Sequence, residues 1–380
     1  MAGLYLHVPF CAAICNYCNF TRGLLDDAVK AQFVTALQAD IRRHAEPVAI
    51  DSVFFGGGTP SLLTAAEVAA ILTACRESFA VVPDAEITLE ANPESVSALT
   101  LDGYRQAGVN RLSFGVQSFR DEELRRLGRL HSADRAAEAV GLARAAGFDN
   151  LSLDLMLWLP EQRLSHVRES VERLIAIGPE HASLYLLELY PNAPLREDMA
   201  RAGWSVAPDD DAADMYLDAM DTLERAGYRQ YEISNVARPG RESRHNLTYW
   251  RDGEWLAFGP GAHGARGHER WRVVPGTGDY IARVAAGADV VAERMPRDRA
   301  TRLEEALFMG LRLAEGIDIR AIQRAYGVDV WETFGDALEP HVRAGRLVHE
   351  PGGRIYLTRA GMLVANDVMA VFIGHGFAVE

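Results

Sequence analysis

Three cysteines constrain this chain more than any other feature. Cys11, Cys15 and Cys18 stand in C-x3-C-x2-C spacing directly after the short apolar run Leu4-Tyr5-Leu6-His7-Val8. Thiolates held in one tight loop suit a soft metal or an iron–sulfur cluster, because sulfur ligands select such centres. A tetrahedral zinc site, or a cluster held wholly by cysteine, needs one more protein ligand. The other cysteine, Cys75, lies far along the chain in an apolar, helix-like stretch and reads as a small buried hydrophobe. The trio therefore reads as the ligand set of a four-iron four-sulfur cluster with three irons tied to protein and one open. A zinc loop, or a disulfide with a spare thiol, is the bland alternative. An open metal position is where a substrate or co-substrate binds.

The 380 residues suffice for two or three domains, and 48% hydrophobic with 24% charged residues is the composition of a soluble globular protein. No early segment has the build of a secretion signal, and no apolar run approaches the ~20 residues of a membrane span. Together with so few cysteines, this makes the expected compartment the reducing cytoplasm. The net charge of −14 disfavours nucleic acid, whose binding draws on phosphate neutralisation. An anionic small molecule remains open to it, held by a local arginine cluster.

Strands and helices alternate through the first half. Strands are expected at residues 4–8, 51–55, 86–89, 111–115, 151–155 and 182–186, with helices between, one of them opened by a Thr64/Glu67 capping box. This repetition implies an α/β fold with a parallel sheet, a full or partial (β/α) barrel, and a doubly wound sheet is the runner-up. The polar motifs fall at strand carboxyl ends, where such folds build their sites. The cysteines follow strand one, Gly56-Gly57-Gly58-Thr59-Pro60 follows strand two, Glu90 ends strand three, Gln117 ends strand four and Asp154 lies near the end of strand five. Glycines there let backbone approach a ligand closely. Glu90 and Asp154 are costly to bury without a partner, so they read as ligand contacts, with Gln117 and Arg129 completing a pocket; helix capping or an arginine pair is the alternative.

Residues 191–208 read as a loop, and 237–278 as a connecting, site-covering region dense in Gly, Arg, His and aromatics. Within the latter, His245-Asn246-Leu247-Thr248-Tyr249-Trp250 offers the parts of a haem site, an axial imidazole beside a flat apolar wall. A buried, hydrogen-bonded histidine is the competing reading, and His7, His131 and His263 share that ambiguity. The organisation expected is thus a barrel over 1–235, a connecting region over 236–298, and a small α+β, winged-helix-like domain over 299–380. That last domain carries a hairpin at 347–358 and no basic stripe for DNA.

On its motifs the chain resembles the oxygen-independent coproporphyrinogen III oxidase-like family of radical S-adenosylmethionine proteins. They are Tyr5-x-His7-x-Pro9-Phe10-Cys11, Cys15-x-Tyr17-Cys18, Phe55-Gly56-Gly57-Gly58-Thr59-Pro60-Ser61, Glu90-Ala91-Asn92-Pro93, Gly115-Val116-Gln117-Ser118, Leu127-Gly128-Arg129-x-His131, Tyr231-Glu232-Ile233-Ser234-Asn235 and Gly259-Pro260-Gly261-Ala262-His263. The resemblance implies a partial (β/α)6-type barrel with the family's C-terminal domain. It also implies a 4Fe-4S cluster on Cys11, Cys15 and Cys18, with S-adenosylmethionine chelated to the open iron. Tyr5, Tyr17, Gly57, Gly58, Thr59, Glu90, Gln117, Arg129 and Asp154 are the implied pocket.

His245-Asn246-x-x-Tyr249-Trp250 resembles the haem-binding motif of the family's haem chaperone branch, which hands haem to acceptor proteins, often at the membrane surface. Two features favour that branch over the decarboxylase: Phe20 stands where the decarboxylase has a further cysteine, and no extension precedes the Cys11 loop. The oxidative decarboxylation of a porphyrinogen, or another radical reaction, is the alternative, and a monomer or homodimer is expected. The chain departs from the family at Asn19, usually Asp, and at Trp158-Leu159-Pro160-Glu161-Gln162, where Gly-Leu-Pro-Gly-Gln is usual. Trp158 is accordingly expected near the pocket.

Overall fold

The structure is a computed structural model that describes residues 1–191 and 193–374. Strands β1 (Ala2–Val8), β4 (Ala49–Gly57), β5 (Ala80–Ala91), β6 (Arg111–Gln117), β7 (Leu151–Leu157) and β8 (His181–Leu186) run parallel in that order, while β2 (Phe10–Cys11) and β3 (Gly23–Leu24) form a small pair within the cysteine loop. Helices between the strands pack outside the sheet. Leu4, Phe55, Leu89, Leu112 and Leu153 from the strands meet Phe33, Leu37 and Ile71 from the helices in one apolar core. The helix Ala65–Ser78 starts on the Thr64/Glu67 capping box, with both reciprocal bonds present. This is the α/β partial barrel expected.

Residues 237–278 are not a loop region. After β9 (Arg229–Glu232) and β10 (Asn235–Ala237), which add antiparallel strands beyond β8, the chain returns to the opposite edge. There β11 (Glu254–Phe258) pairs parallel with β1, and β12 (His263–Arg266), β13 (Glu269–Val273) and β14 (Val291–Pro296) continue as an antiparallel meander. The strands are too short for alternation to register against left-handed turn glycines such as Gly259, Gly261 and Gly267. Trp255, Leu256 and Phe258 join the barrel core. A helix, Pro194–Ala202, likewise occupies the expected loop at 191–208, opened by Pro194 and closed by left-handed Gly203, while Asn192 lies outside the described residues.

The His245 motif forms the helix Arg244–Trp250, which plugs the amino-terminal end of the barrel, opposite the cysteines. The Glu86 carboxylate accepts from the backbone amides of Arg244 (3.2 Å) and His245 (3.3 Å) and holds the helix start. A Cβ on Gly3 would lie 2.9 Å from the His245 ring, so glycine at the start of β1 is what admits the plug. Residues 303–372 bury a separate core of Leu307, Phe334, Leu338, Ile355 and Phe372 around β15 (Ile317–Asp318), β16 (Leu347–Glu350) and β17 (Arg354–Leu357). This unit meets the barrel where Arg312 pairs with Glu232 at 3.1 Å and its guanidinium lies 4.3 Å over Trp250.

Because β11 belongs to the barrel core, Leu256→Ala is expected to cost about 2–5 kcal/mol, the range of a buried truncation, where a covering loop would give within about 0.5 kcal/mol. Denaturant unfolding of the two proteins measures the difference.

Candidate functional site

The strand carboxyl ends surround a cavity of about 390 Å³. Around it the fold gathers Cys11, Cys15, Tyr17, Cys18, Gly57, Gly58, Thr59, Glu90, Gln117, Arg129 and Asp154, residues the sequence singles out. Backbone closure sets the geometry of the cysteine loop. The Gly58 amide donates to the Val8 carbonyl (2.8 Å) and the Thr59 amide to that of Phe10 (2.7 Å), stitching the glycine turn to the first loop residues. A Cβ on Gly58 would sit 2.6 Å from the Phe10 carbonyl oxygen, so the close approach needs glycine. His7 ties the loop's far end, one ring nitrogen 2.7 Å from the Thr21 carbonyl and the other 3.1 Å from the Tyr5 hydroxyl. His131 is likewise structural, set between Glu94 and the Val116 carbonyl.

Arg129 crosses from the strand ends to the cysteines. Its guanidinium donates to the Gly115 carbonyl (2.6 Å), the Asn92 side chain (2.7 Å) and the Cys15 sulfur (3.5 Å). Gln117 reaches the cavity because a register shift between Phe114 and Gln117 ends β6, leaving it at φ 68°, a conformation a non-glycine residue adopts only when its surroundings impose it. Burial pushes the Glu90 carboxyl up to about 8, with repulsion from Asp154 adding to it and the Gly57 amide opposing. Asp154 is pushed up to about 6 by burial, against hydroxyl bonds from Ser183 and Ser113. The floor of the cavity thus holds two carboxyls whose charges are easily changed by a ligand.

Burial raises the Cys11 and Cys18 thiols, and their proximity to the other cysteines adds to the effect. Metal loading must displace those protons. Among the described residues no three His, Cys, Asp or Glu side chains converge as ligands of a single ion do. Cys11, Cys15 and Cys18 nonetheless line one cavity, and three sulfur donors on its wall suit a cluster in which each cysteine takes its own iron. No disulfide joins the cysteines. The donor set therefore fits an iron–sulfur cluster, and Cys75, fully buried with its thiol pushed up to about 12, takes no part.

Other expected contacts lie elsewhere. Tyr5, His245, Asn246 and Tyr249 line a second chamber inside the barrel, and Trp250 lines neither cavity. The expected axial imidazole is not offered: His245 is 1% exposed, with one ring nitrogen 2.9 Å from the Ser52 hydroxyl and the other 2.7 Å from the Tyr249 hydroxyl. Trp158 does not enter the pocket either; its indole nitrogen donates to the Ala207 carbonyl at 2.7 Å. The sequence reading missed the wall formed by Tyr185, Leu186, Leu187, Glu188 and Tyr190. The signal was available, since these residues end or follow the sixth strand, and the other five strand ends had been read by that rule. Phe20, 68% exposed, joins Tyr185 and Leu186 on the cavity wall, and Ile14 and Leu24 are also exposed on the cysteine loop.

A cysteine loop, a glycine turn and paired carboxyls at one end of a partial barrel define the class, a radical S-adenosylmethionine protein, and residues 5–174 match the Radical SAM superfamily model. Residues 298–364 match the HemN C-terminal domain. The chain is 34% identical to "Heme chaperone HemW" of Bacillus subtilis (strain 168), over 99% of this chain and 100% of the relative. It is 35% identical to the protein of that name in Mycobacterium tuberculosis (strain ATCC 25618 / H37Rv), over 98% of this chain and 95% of the relative. To "Radical S-adenosyl methionine domain-containing protein 1, mitochondrial" of Bos taurus it is 39% identical, over 89% and 79%. This chain belongs to the HemW family. Coproporphyrinogen III oxidase (HemN) from Escherichia coli shares the fold, with a TM-score of 0.86 at 22% identity, covering 98% of this chain and 89% of the other. The radical S-adenosylmethionine class implies a 4Fe-4S cluster and S-adenosylmethionine.

The Glu90 shift fixes the sign of a pH effect. Its folded value lies near 8, above the ordinary 4.5, so the stability tied to its neutral form is complete below 4.5 and is lost as pH rises through 8. Glu90→Gln, always neutral, is expected to unfold several degrees higher than the parent chain at pH 8 and to converge with it near pH 4.5. Thermal unfolding followed by circular dichroism across that range reads the crossing.

Proposed function

We propose that this chain is a haem chaperone that carries a 4Fe-4S cluster on Cys11, Cys15 and Cys18, holds S-adenosylmethionine beside it, and passes haem to acceptor proteins. The observation that carries this reading is the match along the whole chain to relatives named heme chaperones, with 100% of one such relative covered. When bound, the cluster supplies an open iron at the cavity wall. Gly57, Gly58 and Thr59 present backbone to the amino-acid end of S-adenosylmethionine, and Tyr17 and Arg129 brace the loop beside it. Glu90, Gln117 and Asp154 accept or donate hydrogen bonds to its polar groups. Among the described residues no helix is long and apolar enough to cross a membrane.

Haem is placed at the mouth of the cavity. The inner chamber holds about 200 Å³, below the range of sites for drug-sized ligands, and both His245 nitrogens are engaged. The exposed side chains of Phe20, Ile14, Leu24, Tyr185 and Leu186 offer a flat macrocycle an apolar seat beside the cluster loop. Ligation by His245 requires the plug helix to leave the barrel.

Haemin titration of the anaerobically reconstituted, cluster-loaded protein tests both statements. A saturable Soret change is expected, with Phe20→Asp weakening the affinity about tenfold or more and His245→Gln leaving it within about threefold. No saturable binding overturns the chaperone reading. Loss of binding in His245→Gln, with Phe20→Asp unaffected, moves the haem to the plug. Anaerobic incubation with coproporphyrinogen III is expected to yield no vinyl product.

A further inference from the structure

Beneath the cofactor cavity the barrel encloses the second chamber, walled by strands β1 and β4 to β8 and by the plug helix. Its polar side chains are almost all paired with each other. His181 lies 2.8 Å from the Ser152 hydroxyl and 2.8 Å from the Tyr231 hydroxyl; His245 is held by Ser52 and Tyr249; the Ser113 hydroxyl donates to Asp154 at 3.3 Å. Arg111 is the exception. It is 2% exposed, it lines the chamber, and its buried Nε has no hydrogen-bond partner. Among the described residues its guanidinium forms neither a hydrogen bond nor an ion pair.

A buried guanidinium without acceptors is costly, because five N–H donors and a full charge have left water. The two carboxyls on the same chamber feel its charge, which lowers both Asp154 and Glu90 against the burial that raises them, yet neither closes a hydrogen bond or an ion pair with it. Glu90 accepts from the Gly57 amide and Asp154 from Ser113, and neither pairs with Arg111. Burial keeps the Glu90 carboxyl largely protonated at neutral pH, which removes it as a counter-ion. The fork geometry of a guanidinium matches a carboxylate or a similar planar oxyanion in two parallel bonds. The chamber's volume of about 200 Å³ admits such an ion and excludes a macrocycle. Glu90, Ser113, Asp154 and Tyr185 line both cavities, so the route in runs through the upper one.

We propose that the inner chamber is a second ligand site of this protein, taking a small planar oxyanion such as formate, acetate or bicarbonate on the Arg111 guanidinium. It adjoins the S-adenosylmethionine pocket through Glu90 and Asp154 and lies below the cluster and the haem seat, and it gives the Arg111 fork the acceptors that the protein's own side chains do not supply.

The test uses the haem-free, cluster-loaded chain titrated with isotope-labelled formate against chloride at constant ionic strength, following the formate resonance and the unfolding midpoint. Saturable broadening of the resonance and a rise in the midpoint are expected. Arg111→Gln should weaken binding about tenfold or more, and Arg111→Lys, which keeps the charge and loses the fork, by less. Should the variants fail to fold, crystals of the parent protein soaked in formate give an independent reading, planar density in two parallel bonds with the guanidinium. Water alone at that position, no saturable broadening, or unchanged binding in a folded Arg111→Gln overturns the proposal. No haem property is measured, so failure here leaves the chaperone reading intact, and failure of haem binding leaves this site intact.

Discussion

The site hangs on one guanidinium. Among the described residues Arg129 is the single side chain that bonds at once to the end of β6, through the Gly115 carbonyl, to Asn92 just beyond β5, and to Cys15 in the cysteine loop. The Gly58 and Thr59 amides tie the loop to β4, and once metal loading displaces the thiol protons the loop carries thiolate charge that repels itself. A positive group shared between loop and strand ends satisfies a terminal carbonyl and compensates thiolate charge in a medium of low dielectric. Arg22, itself in the loop, donates to the carbonyls of Cys18 and Phe20, and its charge opposes the burial that raises the Cys11 and Cys18 thiols. The cysteines are thus registered to the sheet.

The lower barrel follows a different logic. Barrels of this kind usually fill their interior with branched apolar side chains. Here that layer contains Arg111, His181, His245 and Tyr249, closed from below by a helix whose amino terminus rests on Glu86. Burial lowers His181 and takes His245 to about 3, so both rings are neutral at neutral pH and act through hydrogen bonds. A polar layer that is paired almost throughout is rigid, because any rotation strands a buried donor or acceptor. It serves as a fixed floor under Glu90 and Asp154 and holds their environment constant.

Legibility in the sequence tracks how local each cause is. The six central strands are readable because each is an apolar run bounded by turn residues, and the cysteines because ligand spacing is a property of one loop. The glycine turn is readable for the same reason. Arg111 is not, since an arginine opening a strand looks like a surface charge, and the strands and plug helix that enclose its chamber come from far apart in the sequence. His245 misleads in the same way: histidine beside asparagine and aromatics has the makings of a ligand, yet Ser52 and Gly3, which fix its ring, come from other strands. The strands β11 to β14 are too short to show a period, and β1, the partner that ties β11 to the barrel, lies at the other end of the chain.

Charge and shape together suit the proposed role to transfer more than to storage. Haem carries two carboxylates, and the chain's net charge of −14 opposes them at long range, though screening confines that field to about a Debye length of 8–10 Å. Affinity at the cavity mouth must therefore come from apolar contact on Phe20, Tyr185, Leu186 and their neighbours. Such contact is open on one side, so a partner can cover the exposed face of the macrocycle before the first surface lets go. A haem sealed inside the barrel on His245 would have no such exit, because release would first require the plug to withdraw and the Ser52 and Tyr249 bonds to break. An exposed seat above a rigid floor allows the ligand to change hands without unfolding either protein.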